Sequence, residues 1–165
     1  MTKANPLPEL QPSDVLLYWT PCWLDVLISV KTYSDVAHVE VYEGNGMSSA
    51  ARKEGVNLYT FRSEGLRYVY RPIEVPDNES ARQWFRDQAQ GYGYWYLGLL
   101  GFDWPKNHPV KLVASDGWHK KFCSQYGTQR LRAARCQPFH PEYPAEKVPP
   151  GLFKSSANLR CIWRL

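Results

Sequence analysis

Residues 37 to 52 constrain the fold of this chain most, because they predict two short strands joined by a tight turn. The turn is Gly44-Asn45-Gly46, and both residue types adopt the positive φ angles of hairpin turns at little cost. Polar and apolar residues alternate before the turn, and successive strand residues point to opposite faces of a sheet. The alternation places His38, Glu40 and Tyr42 on one face, and Val39 and Val41 on the other.

The patterns around this hairpin predict an α+β fold. Short apolar or alternating runs predict strands at 14–19, 67–71 and 158–164. Helical spacing of apolar residues predicts a helix after Thr20-Pro21, a second from Asp77 or Asn78 to about Gln90, and a third from near Cys123. This mixture predicts a small antiparallel sheet or barrel packed against helices. We expect residues 1–165 to form a single domain, with 1–11 as an extended leader.

Composition and charge exclude several classes of protein. With 44% hydrophobic and 22% charged residues, the chain has the composition of a globular protein and not of a disordered one. The net charge of +4 is spread along the chain, which argues against nucleic acid as a partner but allows attraction to an anionic surface. We find neither a signal peptide nor a transmembrane segment, and therefore expect synthesis in the cytoplasm. Metal-ligand spacing and phosphate-binding glycine loops are also lacking, so we expect no metal and no other cofactor.

Cys123 is a candidate nucleophile. The four cysteines are far apart and form no C-x-x-C pair. Cys123 stands in Phe122-Cys123-Ser124-Gln125, at the predicted start of a helix. A helix amino terminus and a neighbouring imidazolium both lower the pKa of a thiol, which is what a nucleophilic cysteine needs. The alternative is a small buried hydrophobic residue, and position alone does not decide between the two.

His38 is the candidate partner of that thiol, because it lies on a predicted strand. The other histidines, His108, His119 and His140, lie in loop-like sequence. A catalytic imidazole also needs a polar group that fixes its tautomer. Glu40, on the same face, and Ser49, expected across the hairpin, are the two candidates. An ordinary strand histidine and an exposed-face glutamate are the alternatives.

Four segments share a joint pattern with a known family. They are Asp14-Val15-Leu16-Leu17-Tyr18, Val36–Tyr42 with Gly44-Asn45-Gly46, Gly91-x-x-Tyr94 with 97–100, and Phe122-Cys123-Ser124-Gln125. They resemble the circularly permuted NlpC/P60 cysteine hydrolases, a branch that also contains the lecithin:retinol acyltransferase-like enzymes. The resemblance covers about residues 12 to 164, and its order, His before Cys, is the reverse of papain's. It implies a permuted papain-like fold, in which the helix bearing Cys123 packs on a small antiparallel barrel bearing His38.

The resemblance also implies a reaction, the cleavage of an amide or peptide bond, with bacterial peptidoglycan as the substrate. Cys123 would attack the carbonyl, His38 would protonate the leaving group, and water would release the acyl-enzyme. Many relatives carry a His or Glu on the second hairpin strand as the third member, which residues 47–51 lack. Some permuted members carry a Glu two residues after the His, so Glu40 is the predicted orienting group. The expected substrate-binding residues are Tyr18, Ser49, Tyr94, Trp95 and Ser124. For the aromatic residues at 94–96, ordinary core packing is the alternative.

Two other functions stay open at this point. The permuted order and the aromatic residues also fit a lipid or acyl-ester hydrolase, or an acyltransferase, with an acyl substrate. The missing polar residue on the second hairpin strand fits a non-catalytic binding or assembly module, for instance in a virion. A wall enzyme without a signal peptide would need delivery to the cell wall or a place in a phage particle.

Overall fold

A computed structural model describes residues 6–21, 23–94 and 120–165. The strands in these ranges are Val15–Tyr18 (β1), His38–Gly44 (β2), Met47–Arg52 (β3), Gly55–Thr60 (β4), Leu66–Pro72 (β5), Gly93–Tyr94 (β6), Lys120–Lys121 (β7) and Leu159–Arg164 (β8). The α-helices are Trp23–Thr32 (α1), Asn78–Gln88 (α2) and Cys123–Ala133 (α3), and two short 3-10 helices cover Ala145–Lys147 and Pro150–Ser155. None of the helices in these ranges has the length and apolar sequence that spanning a membrane requires.

Six strands form one antiparallel sheet in the order β4-β3-β2-β1-β5-β8. β6 and β7 form a separate parallel pair. The predicted hairpin is confirmed as β2 and β3, and Asn45 and Gly46 make its turn with positive φ angles of 51° and 71°. The predicted α+β class, with an antiparallel sheet packed against helices, is confirmed at this level. β4, the edge strand beside β3, was not predicted from the sequence.

Helix α3 packs on the face of the sheet that carries Val39. Gly127 allows the close approach, since a Cβ on this residue would lie 3.0 Å from Cγ1 of Val39. Leu131 and Ala134 join Val39 in a buried cluster that reaches β1 and β5. Helix α2 lies beside α3, and Asp77 caps it as predicted by accepting a 3.0 Å hydrogen bond from the Ser80 N–H. This packing holds the amino end of α3 against the start of β2.

The opposite face of the sheet carries a second apolar cluster, formed by Leu16, Tyr18, Leu66 and Val69. Leu7 and Leu10, from the predicted leader, pack against this cluster. Next to them, the buried carboxylate of Asp14 accepts two 2.8 Å hydrogen bonds from Arg71. The described part of the leader therefore covers the sheet, and the Asp14–Arg71 pair ties the start of β1 to β5.

Candidate active site

Cys123 is the first residue of α3, as the sequence predicts. The helix is preceded by Phe122, whose side chain makes no capping hydrogen bond, and its first turn contains no acidic residue. The positive end of the helix dipole therefore acts on the sulfur without a nearby capping charge. The sulfur lies 4.0 Å from the backbone oxygen of Ala37, the residue before β2, and Cys123 is fully buried.

His38 is the first residue of β2, and it meets Cys123 at this end of the strand. The two side chains share a hydrogen bond. Burial disfavours the imidazolium, but the charge and hydrogen bond of Cys123, followed by those of Glu40, outweigh it and raise the pKa of His38 to about 10. The imidazole remains 14% exposed. The His38 ring therefore keeps its proton at neutral pH, next to the Cys123 sulfur.

Glu40 fixes the other side of the imidazole. Its Oε1 lies 3.1 Å from Nε2 of His38. The Glu40 side chain has no exposed surface. Burial alone would raise its pKa, but hydrogen bonds and charge from His38, a hydrogen bond from Ser48 and the charge of Arg52 lower the pKa to about 2. Glu40 is thus a buried carboxylate held in its charged form, not an exposed-face residue.

Two residues of β3 that were not predicted from the sequence, Ser48 and Arg52, hold Glu40 in place. The Ser48 hydroxyl donates a 2.6 Å hydrogen bond to Oε2 of Glu40. Arg52 donates from Nε and a terminal nitrogen to Oε1, at 3.0 and 2.6 Å. The signal for both was their position on the strand after the turn, two and six residues beyond Gly46, but using it requires the register of the hairpin.

The prediction that Ser49 faces the His38–Glu40 pair is wrong. Ser49 is the cross-strand partner of Val41, and Ser48 is the partner of Tyr42, because a bulge between Tyr42 and Gly44 shifts the register. Directly opposed residues share a face, so Ser48 lies on the Glu40 side and Ser49 lies on the other. The Ser49 hydroxyl donates a 2.5 Å hydrogen bond to Oε1 of Glu43 instead.

The other predicted substrate-binding residues lie in different environments. Tyr18 is the cross-strand partner of His38, with ring centroids 6.2 Å apart, but it is fully buried and donates its hydroxyl to the Arg62 carbonyl. Burial, then the charge of Glu40, raises the pKa of this phenol. Ser124 is also buried, and its hydroxyl donates a 2.6 Å hydrogen bond to the Val148 carbonyl, away from His38. The backbone of Tyr94 forms β6, and Trp95 lies outside the described residues.

The arrangement has the parts needed for acyl transfer through a thioester. In such a reaction a cysteine serves as nucleophile, an adjacent imidazolium donates a proton, and a carboxylate orients the ring. Within the three described ranges, no cluster of His, Cys, Asp and Glu side chains could hold a metal ion. The sequence matches no protein-family model, and no curated protein is significantly similar to it.

Proposed function

We propose that this chain is a cysteine hydrolase that cleaves an amide or peptide bond through a Cys123 thioester, on a permuted papain-like fold of the NlpC/P60 kind. The contact between Cys123, at the first turn of α3, and His38, whose Nε2 is fixed by Glu40, carries the proposal. Two residues separated by about half of the chain meet, and the His comes before the Cys, as the resemblance implies. The antiparallel sheet under α3 is compatible with that fold.

In the first half of the reaction, the Cys123 sulfur attacks the carbonyl carbon and a tetrahedral oxyanion forms. The backbone N–H of Cys123, at the start of α3, is the donor for that oxyanion. As the C–N bond breaks, the His38 imidazolium gives its proton to the leaving amine. In the second half, neutral His38 takes a proton from water, the hydroxide attacks the thioester, and the Cys123 thiolate leaves. Glu40 keeps the ring oriented through both halves.

The substrate is an amide bond of bacterial peptidoglycan, an assignment that follows from the resemblance. The net charge of +4 supports it, because the cell wall is an anionic surface. The test is to incubate purified sacculi with the protein and measure the soluble muropeptides and new amino groups that appear. We expect release by the wild type and none by the Cys123→Ala variant.

A thioester and phospholipid panel distinguishes the hydrolysis of lipid or acyl esters from amide cleavage. If the protein hydrolyses these esters in a Cys123-dependent way but releases nothing from sacculi, the substrate is an ester and not an amide, and the proposed mechanism still holds. No Cys123-dependent turnover of any substrate, although iodoacetamide alkylates Cys123, would contradict the proposed activity.

A non-catalytic binding module is the second candidate, and the complete burial of Cys123 favours it. A substrate carbonyl must reach the sulfur, whereas a structural thiol needs no access. The rate of iodoacetamide modification separates the two. A sulfur that reacts only after the protein unfolds indicates a binding module, and one that reacts in the native protein at pH 6 indicates an enzyme.

A further inference from the structure

The groups around Glu40 carry more positive than negative charge. Arg52 and Arg62 both lie within 4 Å of the Glu40 carboxylate, and Cys123 and His38 complete the group. A thiol beside a neutral imidazole and a thiolate beside an imidazolium both have a net charge of zero, so this pair adds nothing to the charge of the group in either form. Two arginines against one carboxylate leave one unit of positive charge in either state. Glu54, the next carboxylate along this side, is balanced by Lys53 at 3.5 Å.

Arg52 and Arg62 are bound very differently. Arg52 forms two hydrogen bonds to Glu40, stacks over the Tyr59 ring at 4.1 Å, and is 21% exposed. Arg62 lies 3.9 Å from Oε1 of Glu40, beyond hydrogen-bond distance, and is 44% exposed. Glu40 already accepts hydrogen bonds from Ser48 and Arg52 and contacts His38. The Glu40 carboxylate is therefore satisfied without Arg62.

Arg62 is nevertheless held in place at this site. Its guanidinium lies over the Tyr18 ring, 5.3 Å from the ring centroid. The Tyr18 hydroxyl donates a 2.9 Å hydrogen bond to the Arg62 carbonyl, which fixes the backbone as well. Tyr18 also pairs across the strands with His38. The Arg62 side chain, 44% of which is exposed, is thus positioned beside the candidate active site.

We propose that Arg62 binds a carboxylate on the acyl part of the substrate, so that the hydrolase selects acyl groups that carry a second, anionic end. This inference rests on the proposed function. A guanidinium matches the planar carboxylate with two parallel hydrogen bonds. One surplus positive charge balances one carboxylate, whereas a phosphate dianion would leave net negative charge beside Glu40. Arg62 contacts Glu40, Glu40 contacts His38, and His38 contacts Cys123. A carboxylate on Arg62 would therefore be several bonds away from the scissile carbonyl.

The test compares thioesters that differ only in that charge. Succinyl, glutaryl and adipyl monothioesters are paired with their methyl esters, and kcat/KM is measured for each pair. We expect the wild type to prefer the free acid, and Arg62→Met to lower the acid-to-ester ratio about 10- to 100-fold, as loss of a hydrogen bond to a charged group does. Arg62→Lys should keep part of the preference.

Arg67→Met is the matched control, because Arg67 also lies over an aromatic ring, that of Trp19 at 5.2 Å, but makes no ion pair with Glu40. It should retain the wild-type ratio. A wild type without preference for the acid, an unchanged ratio in Arg62→Met, or an equal fall in Arg67→Met would overturn the inference.

A binding experiment separates this inference from the proposed function. Glutarate is titrated into the Cys123→Ala variant, and the NMR signal of the Arg62 Nε–H is followed, with dimethyl glutarate as the neutral control. A shift with glutarate alone supports the carboxylate site even if no thioester is hydrolysed. No shift at millimolar glutarate contradicts the carboxylate site. If the free-acid and methyl-ester thioesters are then both hydrolysed in a Cys123-dependent way, the proposed hydrolase stands but its selectivity for anionic acyl groups does not.

Discussion

Two carboxylates of β2, Glu40 and Glu43, lie three residues apart and on opposite faces of the sheet. Each accepts a hydrogen bond from a serine of β3, Ser48 for Glu40 and Ser49 for Glu43. Each also accepts two hydrogen bonds from one arginine. Glu40 binds Arg52 at 2.6 and 3.0 Å, and Glu43 binds Arg130 of α3 at 2.6 and 2.9 Å.

The Glu40 cluster consists of Glu40, Ser48, Arg52 and His38, and the Glu43 cluster consists of Glu43, Ser49 and Arg130. The two clusters differ in the presence of a histidine and in the exposure of the arginine. Glu43 and Arg130 are 9% and 0% exposed, and they join α3 to β2 inside the protein. The Glu40 cluster adds His38, which can gain and lose a proton beside a thiol. A buried carboxylate–arginine pair is therefore by itself a packing feature. The imidazole is what makes the Glu40 cluster a candidate for chemistry.

Replacing His38 should give the largest difference between the clusters. We expect His38→Ala to lower turnover about 10³-fold, because it removes both the acid and the base of the reaction. Its iodoacetamide rate at pH 6 should fall as well, because an imidazolium beside a cysteine favours the thiolate, which is the form that iodoacetamide alkylates. Circular dichroism checks that the fold is retained. Wild-type turnover and alkylation in this variant would make the Glu40 cluster as structural as the Glu43 cluster.

Replacing each glutamate by glutamine should separate stability from activity. Glu43→Gln leaves Arg130 buried and unpaired, and we expect it to lower the free energy of unfolding by about 3–5 kcal/mol. Glu40→Gln should cost less, because Arg52 is 21% exposed and can regain water. Urea unfolding at pH 7 measures both.

Turnover should show the opposite order. Glu40→Gln is expected to lose activity, while Glu43→Gln, assayed below its unfolding transition, should keep the activity of the wild type. Equal losses of turnover would show that both carboxylates serve the site only through folding.

The sequence predicted the local elements better than the relations between them. The Gly44-Asn45-Gly46 turn, the Asp77 cap and the helix start at Cys123 each depend on neighbouring residues, and each is present in the structure. The strand order β4-β3-β2-β1-β5-β8 depends on distant pairing, which local patterns do not encode. β4 was missed because its alternation is short and its outward residues at an edge are partly exposed.

The site shows the same limit in finer detail. Cys123, His38 and Glu40 could be selected by residue type and position, although their catalytic roles stay predictions. Ser48 and Ser49 are equivalent in the sequence, and the bulge beside Gly44 decides which of them meets Glu40. A slip of one residue exchanges the two faces, so the choice required coordinates. A buried Arg130 likewise has no signal in helical periodicity.

The acid stability of the protein should depend on Glu40. Its pKa falls from an ordinary 4.5 to about 2 on folding, so the unfolded chain binds more protons between these values. The contribution of Glu40 is complete above pH 4.5 and is lost as the pH falls through 2, a change of at most about 3 kcal/mol. Urea unfolding from pH 6 to 2 should therefore show a shallower acid loss in Glu40→Gln. Parallel curves for wild type and variant would contradict this role.

The smallest expected effect, and the closest comparison, comes from the two adjacent serines. Ser48→Ala and Ser49→Ala each remove one buried hydrogen bond to a carboxylate, and each should cost about 1–3 kcal/mol of stability. Only Ser48→Ala should also lower turnover, by a few-fold, because Ser48 helps hold the group that orients His38. In Ser48→Ala, the acid limb of the pH profile of kcat/KM should move to higher pH, because the Ser48 hydrogen bond is one of the causes that lower the pKa of Glu40. Thermal unfolding measures the loss of stability, and the pH profile of kcat/KM measures the effect on turnover. An equal loss of turnover in Ser49→Ala would show that the hairpin acts as one structural unit rather than through two separate faces.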